Sequence, residues 1–353
     1  MNPYSLFQNR REFVKMRDRY LSYLKQGNEI LAASVLDGPH AGAHAYGIRG
    51  EALETEDGFP PVDAEKLWPE ERTSVVTAGD CRIYTERLRG RKKLVVCGAG
   101  HVSLCVLPIA RMLGFEICVL EDREMFADKA KKAGADRVLV GDFGDLLREM
   151  PDDGDTGYLV LTRGHRFDME CLKEILWRKN RTYVGMMCSR SRAEEARARM
   201  RSEGFSEEAL APLHAPVGLR IGARTPEEIA VSIMAEIISE TGKREAVEIP
   251  EEVLGALREK KKCVLAQIIS RRGSAPRDAG TKMVIFADGM TAGTIGGGFF
   301  EAEVIRYAGE LLRGGESRML KTIDMSDRAI TGPDGSSCGG VVELFFEVLN
   351  RES

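Results

Sequence analysis

Short apolar segments alternate with amphipathic helical segments between Lys93 and about Gly242, and this alternation constrains the fold more than any other feature of the sequence. Such a pattern is typical of a parallel sheet with helices on both faces. The predicted strands are Leu94–Cys97, Glu116–Leu120, Arg137–Val140, Tyr158–Thr162 and Tyr183–Met187. We therefore predict an α/β fold with a Rossmann-like, doubly wound parallel sheet. Its last helix should begin at T-P-E-E, where Thr225 and Glu228 can form a capping box.

The sequence divides into three segments. Residues 91–242 carry the Rossmann-like pattern, and a charged linker, Lys243–Glu252, follows them. Residues 250–353 are rich in β-type sequence and glycine turns, which predicts an α+β glycine-rich domain. The Asp288-Gly289 pair is typical of a hairpin turn, and Glu301–Leu312 has helical spacing.

Residues 1–90 resemble a reduced copy of the last segment. The stretch C-R-I-Y-T-E-R-L from Cys81 aligns with V-E-L-F-F-E-V-L from Val342, and a stretch from Ile30 aligns with one from Val264. The match is weak, so two alternatives stay open: a degenerate N-terminal copy of the glycine-rich domain, or an unrelated segment.

The charge balance argues against polyanionic partners. The chain has 51 basic and 55 acidic residues, so we expect no binding to nucleic acid and no attraction to anionic membranes. No apolar run is long enough to span a bilayer and the N-terminus is not signal-like, so we expect a cytoplasmic protein. The eight cysteines form no C-x-x-C pair, which suits reduced thiols. Whether the chain forms a homodimer stays open.

A glycine turn follows the first predicted strand of the Rossmann-like segment. Gly98 and Gly100 lie between that strand and a helix, where glycines permit close approach of a phosphate to free N–H groups. His101, the first helical residue, should face such a ligand. An acidic residue near the end of the second strand holds a ribose hydroxyl in dinucleotide-binding domains. Glu121 and Asp122 are both placed there, and spacing favours Asp122. NAD(P) or another nucleotide would fit this turn. The alternative is that the turn serves helix packing alone and binds no nucleotide.

The ends of later strands contribute further polar residues. Because the carboxyl ends of parallel strands meet at one edge, we expect L-T-R-G-H-R-F-D and M-C-S-R to approach the glycine turn. The residues concerned are His165, Asp168, Ser189 and Arg190. A histidine, a carboxylate and an arginine beside a phosphate crevice can bind an anion, transfer a proton or hold a metal. Each histidine taken alone would also fit a structural role.

The glycine-rich domain carries two motifs with reactive side chains. R-G-S-A-P-R contributes Ser274 and Arg277, and the guanidinium of Arg277 could serve as a planar forked donor to phosphate or pterin edges. C-G-G contributes Cys338, a candidate thiolate for a soft metal or for sulfur. The alternative is that Cys338 is a small buried residue.

A glycine triplet lies between these two motifs. G-T-I-G-G-G-F-F-E contains Gly296, Gly297 and Gly298. Consecutive glycines that open a helix leave backbone N–H groups uncovered, which suits an anionic, oxygen-rich ligand. Glu301 should lie in the first turn of that helix, and the alternative role of the glycines is to form hairpins.

In combination, these motifs resemble the xanthine dehydrogenase accessory factor (XdhC/CoxI) family. The resemblance covers about residues 93–349, and its most specific part is H-A-P-V-G-L-R-I-G-A-R-T-P-E-E-I-A-V-S-I-M-A-E-I, from His214 to Ile237. It places the phosphate-binding turn on Gly98 and Gly100, the cofactor loop on the glycine triplet, and the family's cysteine on Cys338.

The resemblance implies a maturation factor for molybdenum hydroxylases such as xanthine dehydrogenase. Such factors bind the molybdenum cofactor, which is a molybdopterin with or without an attached nucleotide. They assist its sulfuration together with a cysteine desulfurase and deliver it to the apo-hydroxylase. We expect a cofactor-handling factor rather than an enzyme, and not a xanthine dehydrogenase itself, because the chain lacks iron–sulfur cysteine clusters and is far too short. Cys338, as a ligand of the cofactor's molybdenum, and His165 with Asp168 are then the candidates for chemistry.

Two other functions remain as alternatives. The chain could be an NAD(P)-dependent oxidoreductase with His165 or His101 as the proton carrier. It could also be an interaction scaffold with a vestigial nucleotide site. Two departures from the family pattern matter here: the full glycine-rich domain follows the Rossmann-like segment instead of preceding it, and L-T-R-G-H replaces the usual L-T-H-D-H. The second departure removes a histidine and an aspartate from the crevice.

Overall fold

The computed structural model describes residues 19–20, 22–24, 29–152, 156–179, 181–241, 246–259, 261–325 and 339–349. The chain forms two compact units. One unit, here called the two-sheet unit, consists of residues 1–90 and 245–353. The other, here called the Rossmann unit, consists of residues 91–244. Within the described ranges, no helix combines the length and the apolar character that a membrane crossing requires.

The Rossmann unit is built on a six-stranded parallel sheet with the order β11-β10-β9-β6-β7-β8. The strands are β6 (Lys93–Cys97), β7 (Glu116–Glu121), β8 (Arg137–Val140), β9 (Thr156–Val160), β10 (Arg181–Met186) and β11 (Leu213–His214). The helices are α2 (His101–Met112), α3 (Glu124–Ala133), α4 (Phe143–Glu149), α5 (His165–Leu176), α6 (Arg190–Ser202), α7 (Glu207–Leu210) and α8 (Pro226–Thr241). Strand β6 lies at the point where the strand order reverses, which is where ligands bind in sheets of this kind.

These elements confirm the α/β fold class and the parallel sheet. Two apolar clusters lie on opposite faces of the sheet, one under α4, α5 and α6 and one under α2 and α8. The capping box of α8 is present, because the Glu228 carboxylate accepts the Thr225 N–H at 3.1 Å and the Thr225 hydroxyl accepts the Glu228 N–H at 3.3 Å. The fourth and fifth strands begin two residues earlier than predicted, and the two-residue strand β11 was not predicted.

The two-sheet unit contains two mostly antiparallel sheets. The N-terminal sheet has the order β12-β5-β1-β2-β3, with β4 paired to β5, and the C-terminal sheet has the order β15-β14-β13-β17-β16. The strands of the N-terminal sheet are β1 (Ile30–Val35), β2 (His44–Ile48), β3 (Glu54–Thr55), β4 (Thr73–Ala78), β5 (Cys81–Arg89) and β12 (Val247–Glu248). Those of the C-terminal sheet are β13 (Cys263–Arg272), β14 (Lys282–Phe286), β15 (Thr291–Gly293), β16 (Arg318–Asp324) and β17 (Val341–Leu349). The helices are α1 (Ala64–Leu67), α9 (Glu251–Arg258) and α10 (Gly298–Gly314).

The two sheets have the same topology when their strands are numbered in chain order. In each sheet the first strand lies between the second and the fifth, the third strand flanks the second, and the fourth flanks the fifth. The internal repeat stays a prediction, and this shared order of pairing is an observation in its favour. One apolar cluster lies between the two sheets, and separate clusters cover their outer faces, where α10 packs on the C-terminal sheet.

The predicted linker Lys243–Glu252 is wrong in its second half. Val247 and Glu248 form β12, which pairs in parallel with the end of β5, and α9 begins at Glu251. Val247 and Ile249 are buried between charged neighbours. Because the stretch is highly charged, its sequence did not indicate the short edge strand. The Asp288-Gly289 hairpin and the helix around Glu301–Leu312 are present as predicted.

Candidate functional site

The glycine turn after β6 leaves the beginning of α2 uncovered. Gly98 has φ +101°, and a Cβ at this position would lie 2.6 Å from the carbonyl oxygen of Leu161. Gly100 is the N-cap of α2 with an ordinary φ of −75°, and a Cβ there would meet no atom within 4 Å. His101 follows as the first, exposed residue of α2. Open space therefore borders the helix N-terminus, and the free N–H groups of a helix N-terminus can stabilise a phosphate.

The buried carboxylate beside this turn belongs to Glu121, at the end of β7. Its side chain is fully buried and accepts the Ala99 N–H at 2.7 Å and the Arg123 guanidinium at 2.8 Å. Asp122, which spacing favours for a ribose, instead accepts a hydrogen bond from Arg163 at 2.6 Å. Its role toward a nucleotide stays a prediction. The sequence placed both Glu121 and Asp122 at this strand end, and spacing favoured Asp122 over Glu121. Arg123 and Arg163 were missed, although E-D-R and the arginine of L-T-R-G-H mark their positions.

The structure places the polar residues that follow β9 at the same sheet edge as the glycine turn. The Thr162 hydroxyl donates to Asp168 at 2.5 Å, and His165 begins α5 directly after Gly164. Asp168 is buried, and burial raises its pKa although the Thr162 hydrogen bond and the nearby His165 oppose this. A carboxyl group with a raised pKa next to a hydroxyl is suited to proton exchange.

Ser189 and Arg190 follow β10, the next strand along the sheet. Ser189 is the N-cap of α6, and its hydroxyl accepts the Arg192 N–H at 3.4 Å. This bond gives Ser189 a structural role, whereas Arg190 is exposed at the first helical position. Within the part of the chain that the structure describes, no group of three or more histidine, cysteine or acidic side chains could hold a metal ion.

In the two-sheet unit, the motifs of the glycine-rich domain pack against one another. A Cβ at Gly340 would lie 2.4 Å from the carbonyl oxygen of Ser274, so the C-G-G and G-S-A-P-R segments are in backbone contact. A Cβ at Gly296 would lie 2.5 Å from Pro276 Cγ, so the glycine triplet packs on the same turn. Cys338 lies outside the described residues, but Gly339 follows it directly and also contacts this turn.

The glycine triplet forms the N-terminus of α10. All three glycines have positive φ, and Cβ atoms at Gly297 or Gly298 would meet nothing within 4 Å. The Glu301 carboxylate accepts the Gly297 N–H at 3.1 Å and the Thr294 hydroxyl at 2.5 Å. Glu301 thus occupies one of the N–H groups that the sequence suggests for a ligand, while space remains open beside the triplet. Arg277 is exposed and makes no hydrogen bond or ion pair with any described residue.

Fold and site together define a two-unit α/β protein that combines a Rossmann-type glycine turn with a glycine-rich β-sheet domain. Residues 94–237 match the family model described as the XdhC Rossmann domain, and residues 256–324 match the model described as the XdhC and CoxI family. The chain belongs to the XdhC and CoxI family.

Relatives of this chain include two curated bacterial proteins. It is 34% identical over 149 residues to Uncharacterized protein YqeB of Escherichia coli, with 42% of this chain and 27% of that protein covered. It is 29% identical over 165 residues to a probable xanthine dehydrogenase subunit of Bacillus subtilis, with 47% of each covered. The chain thus spans less than half the length of either relative.

A solved structure shares the fold. The crystal structure of a xanthine dehydrogenase from Bacillus halodurans aligns with a TM-score of 0.50 at 22% identity. The alignment covers 67% of this chain and 69% of that one. At this identity the likeness concerns the fold alone.

Proposed function

We propose that this chain is an accessory factor for a xanthine dehydrogenase-type molybdenum hydroxylase. It binds the molybdenum cofactor, assists its sulfuration together with a cysteine desulfurase, and supports its insertion into the apo-hydroxylase. Family membership and the similarity to a protein named as a probable xanthine dehydrogenase subunit support the association with such an enzyme.

The observation that carries the proposal is the packing of two motifs, C-G-G and the glycine triplet, on the turn formed by the third, G-S-A-P-R. Two glycines make contacts that no larger residue would permit: Gly340 lies against Ser274, and Gly296 lies against Pro276. The segments flank an open helix N-terminus with an exposed arginine, Arg277, and this donor set fits an anionic pterin phosphate. When bound, the cofactor supplies the molybdenum centre of the hydroxylase.

The roles of individual residues follow from this arrangement. Arg277 and Ser274, with N–H groups at the start of α10, would hold the phosphate, and Glu301 would fix the glycine triplet in its shape. Cys338, next to Gly339, is the candidate sulfur carrier or molybdenum ligand.

The Rossmann unit would separately hold a nucleotide, either NAD(P) or another one. Gly98, Gly100 and His101 would line its phosphate, and Asp122 its ribose. His165 and Asp168 are the candidates for a proton-transfer pair at that edge, with Ser189 and Arg190 beyond them.

Cofactor retention tests the proposal. The purified full chain is mixed with molybdenum cofactor under anaerobic conditions, and molybdenum in the protein fraction is measured after gel filtration. We expect retention by the wild type and at least a tenfold loss in Arg277→Gln. Arg313→Gln, which removes the same charge from the far end of α10, should retain the cofactor like the wild type.

The outcomes separate the parts of the proposal. No retention by the wild type, or equal retention by Arg277→Gln and the wild type, contradicts cofactor binding in the two-sheet unit. Cys338→Ala with full retention and full sulfuration support would remove the cysteine from the mechanism.

A further inference from the structure

The most specific motif of the sequence, from His214 onward, lines a cleft that shares only Arg190 with the residues named in the proposed function. The cleft lies within the Rossmann unit and has a volume of about 540 Å³, within the range of small-molecule sites. Its walls come from the start and middle of α6, from residues 213–220, and from α8. The cleft borders the carboxyl end of β11, two strands away from β9.

The wall formed by residues 213–220 is fixed at both ends. The Val217 N–H donates to the carbonyl of Met186 at 2.9 Å, which ties the segment to the end of β10. The Ser232 hydroxyl of α8 donates to the carbonyl of Leu219 at 2.7 Å. Gly218 has φ +99°, and a Cβ there would lie 2.4 Å from the Ser232 oxygen. The cleft is therefore preformed by packed and hydrogen-bonded segments.

Positive charge dominates the cleft. Arg190, Arg197 and Arg220 line it, and Glu236 is the acidic residue among its wall residues. The Arg197 guanidinium donates to the carbonyls of Leu210 and Leu213, so this side chain is held in place. Arg190 and Arg220 are exposed, and neither makes a hydrogen bond or an ion pair with a described residue. Two guanidinium groups at the cleft are thus available to a ligand.

The carboxylate of the cleft wall is already engaged. Glu236 accepts the Tyr183 hydroxyl at 2.5 Å and lies 3.5 Å from Nδ1 of His214. The His214 ring stacks on that of Tyr183 with centroids 4.7 Å apart. Burial and the neighbouring Glu236 raise the pKa of Tyr183, so the phenol stays a neutral donor. Glu236 therefore orients His214 at the cleft wall rather than serving as a free acid.

We propose that this cleft binds the phosphate or diphosphate group of a small phosphorylated molecule, with Arg190 and Arg220 as its charged donors. Guanidinium groups match the geometry of phosphate oxygens and form charge-assisted hydrogen bonds with them. His214, held by Tyr183 and Glu236, adds a polar wall, and Arg197 adds positive potential. The site lies within the Rossmann unit and does not depend on cofactor binding by the glycine-rich motifs of the two-sheet unit, although it shares Arg190 with the residues named for the nucleotide.

Calorimetric titration of the full chain with inorganic pyrophosphate tests the site. We expect binding to the wild type and at least a tenfold weaker affinity in the Arg190→Gln/Arg220→Gln double variant. Arg199→Gln is the matched control, because it removes the same charge from α6 at an exposed position paired with Glu203. Because the glycine turn could also hold pyrophosphate, the comparison is repeated in a Gly100→Val background, which crowds that turn, and the tenfold loss on substituting Arg190 and Arg220 should persist there.

Several results would overturn the assignment. Wild-type affinity in the double variant, or no binding by the wild type, rules out the cleft as a phosphate site. Loss of binding in Gly100→Val with no change in the double variant would place the anion at the glycine turn. Tighter binding of the dicarboxylate malonate than of pyrophosphate would show that the arginines serve a carboxylate instead.

Discussion

Gly98 and Gly100 lie two residues apart, yet the structure requires glycine at only one of them for folding. Gly98 combines a left-handed backbone with a carbonyl oxygen where a Cβ would stand. Gly100 has neither constraint, because its backbone is extended and the space around it is open. A substitution at Gly98 therefore tests stability, whereas one at Gly100 tests whether the open space holds a ligand.

The first prediction compares alanine at these two positions. Gly98→Ala should lower the free energy of unfolding by at least about 2 kcal/mol, because strain in φ and the clash with the Leu161 oxygen act together. Gly100→Ala should lower it by about 1 kcal/mol or less, the cost of a poorer N-cap. Urea denaturation measures both, and equal losses would show that the turn differs from the one described.

His44 is a buried histidine that the sequence did not single out. Its Nε2 lies 2.8 Å from Glu347, its Nδ1 lies 3.0 Å from the Ser34 hydroxyl, and its backbone N–H donates to Glu56. Burial alone would lower its pKa, but the charge and hydrogen bond of Glu347 outweigh it, so the pKa of His44 is raised above 6.5. Glu56 also favours the protonated ring, and Arg318 opposes it.

This raised pKa predicts a specific dependence of stability on pH. The folded state holds a proton on His44 more tightly than the unfolded chain, so the stabilisation is complete below pH 6.5. It is lost as the pH rises through the folded-state pKa. The unfolding free energy of the wild type should thus fall more steeply above pH 6.5 than that of His44→Gln. Parallel curves for the two proteins, from urea denaturation at a series of pH values, would contradict a charged His44.

At the scale of elements, two ion pairs join the sheets of the two-sheet unit in a reciprocal way. His44 on β2 contacts Glu347 on β17, and Lys282 on β14 contacts Glu86 on β5 at 2.5 Å. In its own sheet, His44 pairs in register with Ser34, as Lys282 pairs with Gln267.

The two glutamates also occupy corresponding positions in their sheets. Glu86 pairs with Ala32 on β1, as Glu347 pairs with Leu265 on β13. In each sheet the cation of the second strand contacts the glutamate on the fifth strand of the other sheet. The two pairs therefore help to fix which residues of the two sheets face each other.

Removing one partner of the more buried ion pair should lower the free energy of unfolding strongly, and removing both charges together should lower it less. Lys282 and Glu86 are about 5% and 6% exposed, so Lys282→Met leaves a buried carboxylate and should cost about 3 kcal/mol. Glu86 keeps a hydrogen bond from Gln267, which a glutamine at position 86 can accept through its carbonyl. Glu86→Gln/Lys282→Met should therefore recover more than half of the loss in urea denaturation. Additive losses would mean that the pair is not coupled.

Sequence patterns predicted the regular elements and missed the short ones, for physical reasons. The parallel sheet follows from alternation because buried strands and amphipathic helices leave periodic apolar positions. Strand β11 has two residues, and β12 lies among charged residues, so neither forms a detectable period. At the glycine turn, spacing favoured Asp122, whereas the neighbouring Glu121 contacts Ala99, because adjacent strand residues face opposite sides. The cleft beside β11 was also missed, since its arginines are far apart in sequence.

At the scale of the whole molecule, the Rossmann unit is inserted between two halves of the two-sheet unit. The chain leaves the N-terminal sheet after β5 and returns to it in β12, where Val247 pairs with Leu88 and Glu248 pairs with Arg89. The two ends of the insertion are thus neighbours in one sheet. Both halves supply residues to the apolar cluster between the sheets, including Ile30 and Leu88 from one half and Val253 and Leu257 from the other.

This arrangement predicts which parts of the chain fold alone. Residues 91–244 have their own two apolar clusters and should unfold cooperatively as a separate protein. Residues 1–90 alone should not, because much of their apolar surface is covered by residues 245–353. A fusion of residues 1–90 to 245–353 through a Gly/Ser linker of about six residues should restore a cooperative transition, since the ends to be joined are neighbours. Circular dichroism during thermal unfolding measures all three, and cooperative unfolding of residues 1–90 alone would contradict a core shared between the two halves.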